Sequence, residues 1–231
     1  MNILKCFVLT ILFFTSLACL SQAQLQLDAG VKGGFNYSRI NSTSAVAFNP
    51  GFYSGYHAGI YAMFKIDNFA IQPEIVYSAQ GQTYQYRTFD NYNTVLNYLN
   101  IPIVFKVYVV EGLNIQAGPQ FGFLMSSKDE VITTGVSSSP MVSSQSINDY
   151  IKSHDASVIL GLGYDFPFGL NVTARYNIGA SNINYYSSGN LPYNTSTSTT
   201  TSTSMGTSKA FNEVFQFSIG YRLLKKEFES K

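Results

Sequence analysis

The chain carries little charge. Of its 231 residues 12% are charged, about half the share of an ordinary globular protein, and the formal net charge at pH 7 is +1. A nucleic-acid-binding surface needs a block of basic residues, and the one basic pair is Lys225-Lys226 near the C-terminus. We therefore expect no nucleic-acid partner.

Cysteine is scarce, and both cysteines lie in the N-terminal segment. There Lys5 precedes an apolar run over residues 7–20, and Ser21-Gln22-Ala23 supplies small residues where a signal peptidase cleaves. We predict that residues 1–23 are a signal peptide and are removed. The mature chain then contains no cysteine, which excludes disulfides, thiol chemistry and cysteine metal sites.

Two alternatives exist for the N-terminal segment. A transmembrane helix would need about 18–20 apolar residues, and the run is shorter and ends in polar residues. The stretch Ser16-Leu17-Ala18-Cys19 weakly resembles a lipoprotein cleavage site, with Ser where a branched apolar residue is usual. Lipidation of Cys19 is left open by the sequence.

Histidine is also scarce, and this limits the catalytic possibilities. The two histidines are His57 and His154. His154 and Asp155 could mimic part of a hydrolase dyad with a loop serine, but adjacent residues of a strand point to opposite faces. The sequence has no phosphate loop, metal-ligand spacing or dinucleotide fingerprint. We expect no enzyme activity, no cofactor and no metal site.

Apolar side chains at every second position are abundant in this chain, and the stretch Leu96–Val110 shows the pattern. This period of two predicts a strand with one apolar face. Eleven residues keep the alternation, close to the roughly 9–11 that a tilted strand needs to cross a membrane. The alternating residues are Leu99, Ile101, Ile103, Phe105, Val107 and Val109.

The same alternation recurs along the rest of the mature chain, with short and long connections in turn. Tight turns at Asp67-Asn68, Glu111-Gly112 and 167–169 alternate with longer polar links, which include 126–152 and the Ser/Thr-rich 184–209. This regular alternation is typical of an up-and-down membrane barrel with short periplasmic turns and longer outside loops. The eight predicted strands are 27–37, 53–66, 69–86, 96–110, 113–125, 156–166, 170–179 and 211–223.

We therefore predict an all-β fold, an eight-stranded antiparallel up-and-down transmembrane β-barrel formed by residues 24–231. The charge distribution separates it from a soluble lipocalin-type barrel, which buries apolar residues inside. Eight charged residues fall on the polar faces of their strands, so the polar face would line a narrow, packed lumen. These residues are Asp28, Lys32, Lys65, Glu74, Lys106, Asp165, Arg175 and Arg222.

We expect six of these residues, namely Lys32, Glu74, Lys106, Asp165, Arg175 and Arg222, to form a polar network in the lumen. The charged set has three acids and five bases. Two positive charges would therefore need backbone carbonyls, water or an anion as partners.

Four segments, 30–37, 71–78, 96–103 and 116–119, resemble the PorT-like family of outer-membrane β-barrels. They read GVKGGFNY, IQPEIVYS, LNYLNIPI and QAGP. The resemblance implies an exported barrel in the outer membrane. It also accounts for proline inside strands, at Pro73, Pro102 and Pro119, which we interpret as marking bulges on neighbouring strands.

The resemblance says little about function, and the chain departs from the pattern in one respect. The founding member is associated with protein secretion across the outer membrane, whereas most members look like barrels of unknown role. Many outer-membrane barrels end on an aromatic residue that the assembly machinery reads, but this chain continues from Leu224 to Lys231.

We expect a non-enzymatic structural or surface-interaction protein of the outer membrane. Its partners would be outer-membrane lipid, the barrel assembly machinery and an extracellular or secretion-system protein, and it would be a monomer. A narrow passive pore and an accessory component of a secretion apparatus are the alternatives. The long outside loops, 126–152 and 184–209, motivate the surface role.

Heat-modifiability tests the barrel. A closed barrel keeps its shape in cold detergent, so the unheated protein should migrate faster on a gel than the boiled protein and should show a β-type circular dichroism spectrum. A protein that is soluble without detergent and shows no shift would contradict the prediction and favour a lipocalin-like barrel.

Overall fold

The computed structural model describes residues 25–42, 49–87, 90–133, 141–147, 151–183 and 209–228. Within these residues the chain forms nine strands. The predicted signal peptide and residues 184–208 of the predicted long loop lie outside the described residues. The strands are β1 (Leu25–Ser42), β2 (Asn49–Ile66), β3 (Phe69–Arg87), β4 (Asp90–Tyr108), β5 (Leu113–Thr133), β6 (Met141–Ser146), β7 (His154–Asp165), β8 (Leu170–Gly179) and β9 (Ala210–Phe228).

The strands close into a ring in which all neighbours are antiparallel. The pairing runs from β1 through β2, β3, β4, β5, β7 and β8 to β9, and β9 pairs back onto β1. The short β6 pairs with the outer part of β5, on the same side of β5 as β7. The predicted eight-stranded antiparallel up-and-down barrel is therefore confirmed.

Side chains alternate between the outside and the inside of the ring. On β9, Phe217 and Ile219 are 60% and 63% exposed, whereas Ser218 between them is 2% exposed. The same pattern on the other strands gives an apolar outer face and a polar lumen. Such an outer face suits hydrocarbon, and the lipocalin-type distribution is the reverse.

Two groups of aromatic rings lie at opposite ends of the apolar outer face. At the outer end Tyr37 stacks on Phe52 and Tyr176 stacks on Phe215, each with ring centroids 4.3 Å apart. Near the short turns at the other end, Phe166 contacts Tyr164 and Phe168. Aromatic residues at both borders of an apolar band are typical of membrane barrels.

The predicted loop over residues 126–152 is wrong in two stretches. Strand β5 continues to Thr133, and Met141–Ser146 forms β6, paired from Lys128↔Ser146 to Thr133↔Met141. Sequence reasoning ended the strand where apolar alternation stopped, but a ladder of backbone hydrogen bonds does not need an apolar face. The gaps between the first and second and between the third and fourth predicted strands are shortened for the same reason.

The predicted bulges at the strand prolines are also wrong. In the described pairings, register shifts occur at Ala29/Gly30, Phe52/His57, Gln85/Arg87 and Asn97/Tyr98, away from every one of these prolines. The register is the same on both sides of each proline, and near Pro73 and Pro102 the ladder omits two successive pairs. The missing proline N–H therefore interrupts the hydrogen bonds locally and leaves the strands aligned.

Candidate functional site: the polar lumen and the outer wall

A buried carboxylate, Glu74 on β3, is the centre of the lumen. It accepts hydrogen bonds from both terminal nitrogens of Arg175, at 2.7 and 2.9 Å, from Nζ of Lys32 at 3.1 Å and from Nε2 of Gln72 at 2.7 Å. Glu74, Arg175 and Lys32 are each at most 6% exposed. One carboxylate on β3 therefore bridges two bases, Lys32 on β1 and Arg175 on β8, and can offset the charge of one of them.

A chain of amides connects this centre to a second acid, which is half-buried. Nε of Arg175 donates to Gln116, Gln116 donates to Asn114, and Asn114 donates to Asp165. Asp165 also accepts hydrogen bonds from Tyr108 at 2.6 Å and from Lys106 at 3.2 Å. Five of the six predicted lumen residues thus belong to one connected set of hydrogen bonds: Lys32, Glu74, Lys106, Asp165 and Arg175.

Arg222, the sixth predicted residue, lies apart from this set. Its guanidinium donates to Asp28 at 3.3 Å and to the carbonyl of Pro167 at 2.9 Å. Asp28 in turn accepts both hydrogen bonds of the Gln26 amide. Arg222 therefore lies at the end of the lumen that carries the short turns.

Two of the bases in the lumen have neutral partners. The Pro167 carbonyl takes one donor of Arg222, and Nζ of Lys65 lies 4.0 Å from the centroid of the Tyr108 ring, where the π-face attracts a cation. Sequence reasoning also missed Asp155, which is buried at the outer end and accepts from Ser181 and Asn212. The count then becomes five bases against four acids.

His57 has partners that the sequence did not suggest. The Asn36 amide donates to Ser78 at 2.9 Å and to the Ala79 carbonyl at 2.8 Å, so its oxygen faces the imidazole. Because that oxygen can only accept, Nδ1 of His57 carries the proton and donates to it at 2.8 Å. Nε2 is then an acceptor and receives the Ser218 hydroxyl at 2.7 Å.

Gly34 makes this contact across the sheet sterically feasible. It lies on β1 between His57 on β2 and Ser218 on β9, and it is paired with both. A side chain there would stand between the two partners. The adjacent glycines at 33 and 34 are, in retrospect, the sequence signal that a large side chain opposite crosses this strand.

The Ser218, His57 and Asn36 line has the order of groups that activates a serine in hydrolases. Ser218 and His57 are each 2% exposed, and neither lines the cavity described below. A substrate therefore has no room at the hydroxyl, and the three side chains fill the lumen. The predicted separation of His154 from Asp155 is seen, because His154 faces outward against the Phe123 ring and Asp155 faces inward.

The two ends of the lumen differ. At the outer end Ile183 packs on Leu96 and Tyr98, and all three residues are at most 1% exposed. The backbone of Ile183 is held in place by hydrogen bonds to the backbones of Lys152 and Ala210. At the other end a cavity of about 260 Å³ opens. Its lining includes Asp28, Lys65, Lys106, Tyr108, Asp165 and Arg222.

The described residues offer no metal site, since no group of three or more His, Cys, Asp or Glu side chains among them could hold an ion. In the same part of the chain, no helix is long and apolar enough to cross a bilayer.

One side of the barrel extends beyond the rest at the outer end. The top of β7 pairs at Phe123↔His154, yet β5 continues to Thr133, and β2, β3 and β4 rise with it. Ten further residues of β5 correspond to about 33 Å along the strand. We call this part the outer wall, which comprises residues 49–52, 79–87, 90–97, 126–133 and 141–146.

Comparison with known families decides the class of the protein. The family model described as "Outer membrane protein beta-barrel domain" matches residues 21–185, more than half of the chain. The chain belongs to this outer-membrane β-barrel family. Its location is therefore the outer membrane, with the apolar face of the barrel in the bilayer.

Several solved outer-membrane barrels are similar to this chain. Neisserial surface protein A is 12% identical, with 84% of this chain and 97% of that chain covered and a TM-score of 0.42. Ail, the attachment invasion locus protein of Yersinia pestis, is 13% identical, with 87% and 99% covered and a TM-score of 0.42. OprG from Pseudomonas aeruginosa is 9% identical, with 87% and 96% covered and a TM-score of 0.35. No curated protein matches the chain.

We predict that Glu74→Gln strongly destabilises the barrel. The amide cannot neutralise Lys32 and Arg175, and removing one partner from a buried ion pair costs about 3–5 kcal/mol. Glu213→Gln is the matched control because its partner, Arg39, is exposed, and exposed pairs contribute about 0.2–1 kcal/mol. Urea titration of the barrel in lipid vesicles, followed by the gel shift, measures both. Equal losses for the two variants would contradict the central role of Glu74.

We also predict that Gly34→Ala destabilises the barrel and that Gly33→Ala has little effect. A Cβ at Gly34 would overlap the Phe217 carbonyl and lie 2.8 Å from Cα of Ser218, whereas at Gly33 the nearest atom is 3.4 Å away. Overpacking of this kind costs about 1–3 kcal/mol. The same urea titration compares the adjacent variants, and an unchanged Gly34→Ala barrel would show that β1 and β9 separate easily here.

Proposed function

We propose that this protein is a non-enzymatic surface-interaction barrel, in which a solid membrane stalk displays the outer wall to partners outside the cell. The main support for this proposal is the presence of the outer wall. Binding residues tend to lie on irregular segments held by a rigid scaffold, and here four full-length strands support the wall. A barrel that served only to stabilise the envelope would not need strands that extend this far beyond the ring.

The packing of the lumen argues against a narrow pore. Conduction needs a continuous aqueous path, but the lumen is filled by hydrogen-bonded side chains around Glu74. The cap formed by Leu96, Tyr98 and Ile183 covers the outer end. The cavity at the other end is therefore a vestibule that ends inside the barrel and not the mouth of a channel.

A further part of the proposal concerns membership in the PorT-like group. The four segments that resemble it, 30–37, 71–78, 96–103 and 116–119, lie almost entirely in the ring and the lumen, below the outer wall. They support export through a cleaved signal peptide, contact with outer-membrane lipid and insertion by the barrel assembly machinery. They say nothing about the partner of the wall, so a role in secretion rests on analogy alone.

We further propose that the protein acts as a monomer. The ring closes on itself and leaves no unpaired strand edge within the bilayer, so lipid alone can surround the barrel.

Site-specific photo-crosslinking on intact cells tests the surface role. A photo-reactive residue in place of Lys128, exposed on the outer wall, should form crosslinks to an extracellular or surface protein. The same residue in place of Lys226, exposed at the opposite end of β9, is the matched control and should form no such crosslinks.

A variant in which the hairpin of β5 and β6 is shortened to join residues 127 and 147 should remain heat-modifiable. It should also lose crosslinks from a photo-reactive residue placed in the remaining wall, at Asn93. Crosslinks that persist unchanged in this variant, or that are equal at positions 128 and 226, would overturn the proposal.

A further inference from the structure

The C-terminal end of β9 and strand β6 each lack a described neighbour on one side, and these two edges differ in character. Beyond the last pair with β8, Leu170↔Tyr221, strand β9 continues to Phe228 without a strand on that side. This edge carries Lys225, Lys226 and Glu227. Charged side chains on an edge, lysine above all, are a common device against unwanted strand pairing.

The edge of β6 carries no such protection. On one side β6 pairs with β5 in six successive pairs without a register shift, and no described strand lies on its other side. The sequence Met-Val-Ser-Ser-Gln-Ser contains neither a charged residue nor a proline. The chain therefore places charged residues on the edge at the vestibule end, whereas the β6 edge carries none and has no neighbour among the described strands.

The backbone groups that this edge presents can be assigned. The N–H of Ile147 donates to the carbonyl of Ser127 at 3.1 Å, which continues the β6 register toward β5. Backbone groups along a strand alternate in direction, so Met141, Ser143 and Gln145 also direct their N–H and C=O groups at β5. Val142, Ser144 and Ser146 then direct theirs away from β5.

We propose that this open edge of β6 accepts an extended segment of a partner protein as an added strand. The inference rests on the proposed surface role and names the kind of partner. Alternating N–H and C=O groups along a straight edge are complementary to extended backbone. Because β6 is uncharged, recognition through main-chain hydrogen bonds would tolerate many partner sequences.

A second copy of this chain fits the edge less well. Antiparallel pairing of two β6 strands needs a two-fold axis perpendicular to their sheet. The wall continues the barrel, so that axis would lie in the membrane plane and would invert one of the two barrels. Two copies in one membrane have the same orientation and cannot pair in this way.

Amide hydrogen exchange of the full-length protein in detergent tests the edge. The probe is a synthetic peptide with the sequence of residues 127–134, SKDEVITT, which includes the β5 segment that pairs with β6. Without the peptide, the amides of Val142, Ser144 and Ser146 should exchange fast and those of Ser143 and Gln145 slowly. Saturating peptide should slow the amides of residues 142, 144 and 146 by about tenfold or more.

Ser144→Pro and Ser144→Ala form the matched pair of variants. Proline removes an edge donor without removing a hydrogen bond to β5, so the peptide should no longer protect residues 142 and 146. Alanine keeps the donor and should behave as the natural chain does. Slow exchange at Ser143 and Gln145 in both variants verifies that β6 stays on β5.

Four results would overturn the proposal. Protection of residues 142, 144 and 146 without peptide at every protein concentration would mean that another segment of the chain covers the edge, and protection only at high concentration would mean a second copy. Equal protection of the Ser144→Pro variant would mean binding elsewhere. If the peptide does not protect these amides while crosslinking from position 128 persists, the proposed binding at the β6 edge is wrong and the surface role stands.

Discussion

The need to satisfy every backbone polar group inside the protein is the constraint on which this structure depends. Hydrocarbon offers no hydrogen-bond partner, so strands in a membrane must close into a ring. Closure is completed by the ladder between β1 and β9. Once the ring is closed, apolar side chains face lipid and polar ones face inward, and the narrow lumen of eight strands must be filled by the polar set.

Because charged side chains help to fill that lumen, the second constraint is the free-energy cost of burying charge. A buried ion is costly unless it is paired and hydrogen-bonded, and here Glu74 serves Lys32 and Arg175 together. The amides of Gln116 and Asn114 then carry the hydrogen bonding to Asp165. The Ser218, His57 and Asn36 line fits the same picture, since it satisfies three polar side chains that a closed ring forces inward.

The outer wall is the part of the molecule that the membrane does not constrain. Beyond the bilayer, water can satisfy an open edge, so strands there need not close into a ring. This freedom explains why one edge of β6 can lack a neighbour among the described strands, whereas every strand of the ring is paired on both sides within the bilayer. The two parts of the barrel are therefore under different constraints. The membrane stalk has a lumen that is closed by the Ile183 cap, and the outer wall is free to bind a partner.

The sequence by itself determined the ring and the faces of its strands. Period-two alternation, as in residues 99–109, and the alternation of short and long links depend on local pattern alone, so strand number and the inward direction of Glu74 and Arg175 followed from it. Tertiary structure alone decided which inward residues meet, because Glu74 and Arg175 are 101 positions apart in the chain. It also decided that polar residues 126–133 and 141–146 are strands, since their backbone pairing depends on a neighbour and leaves no trace in hydrophobic periodicity.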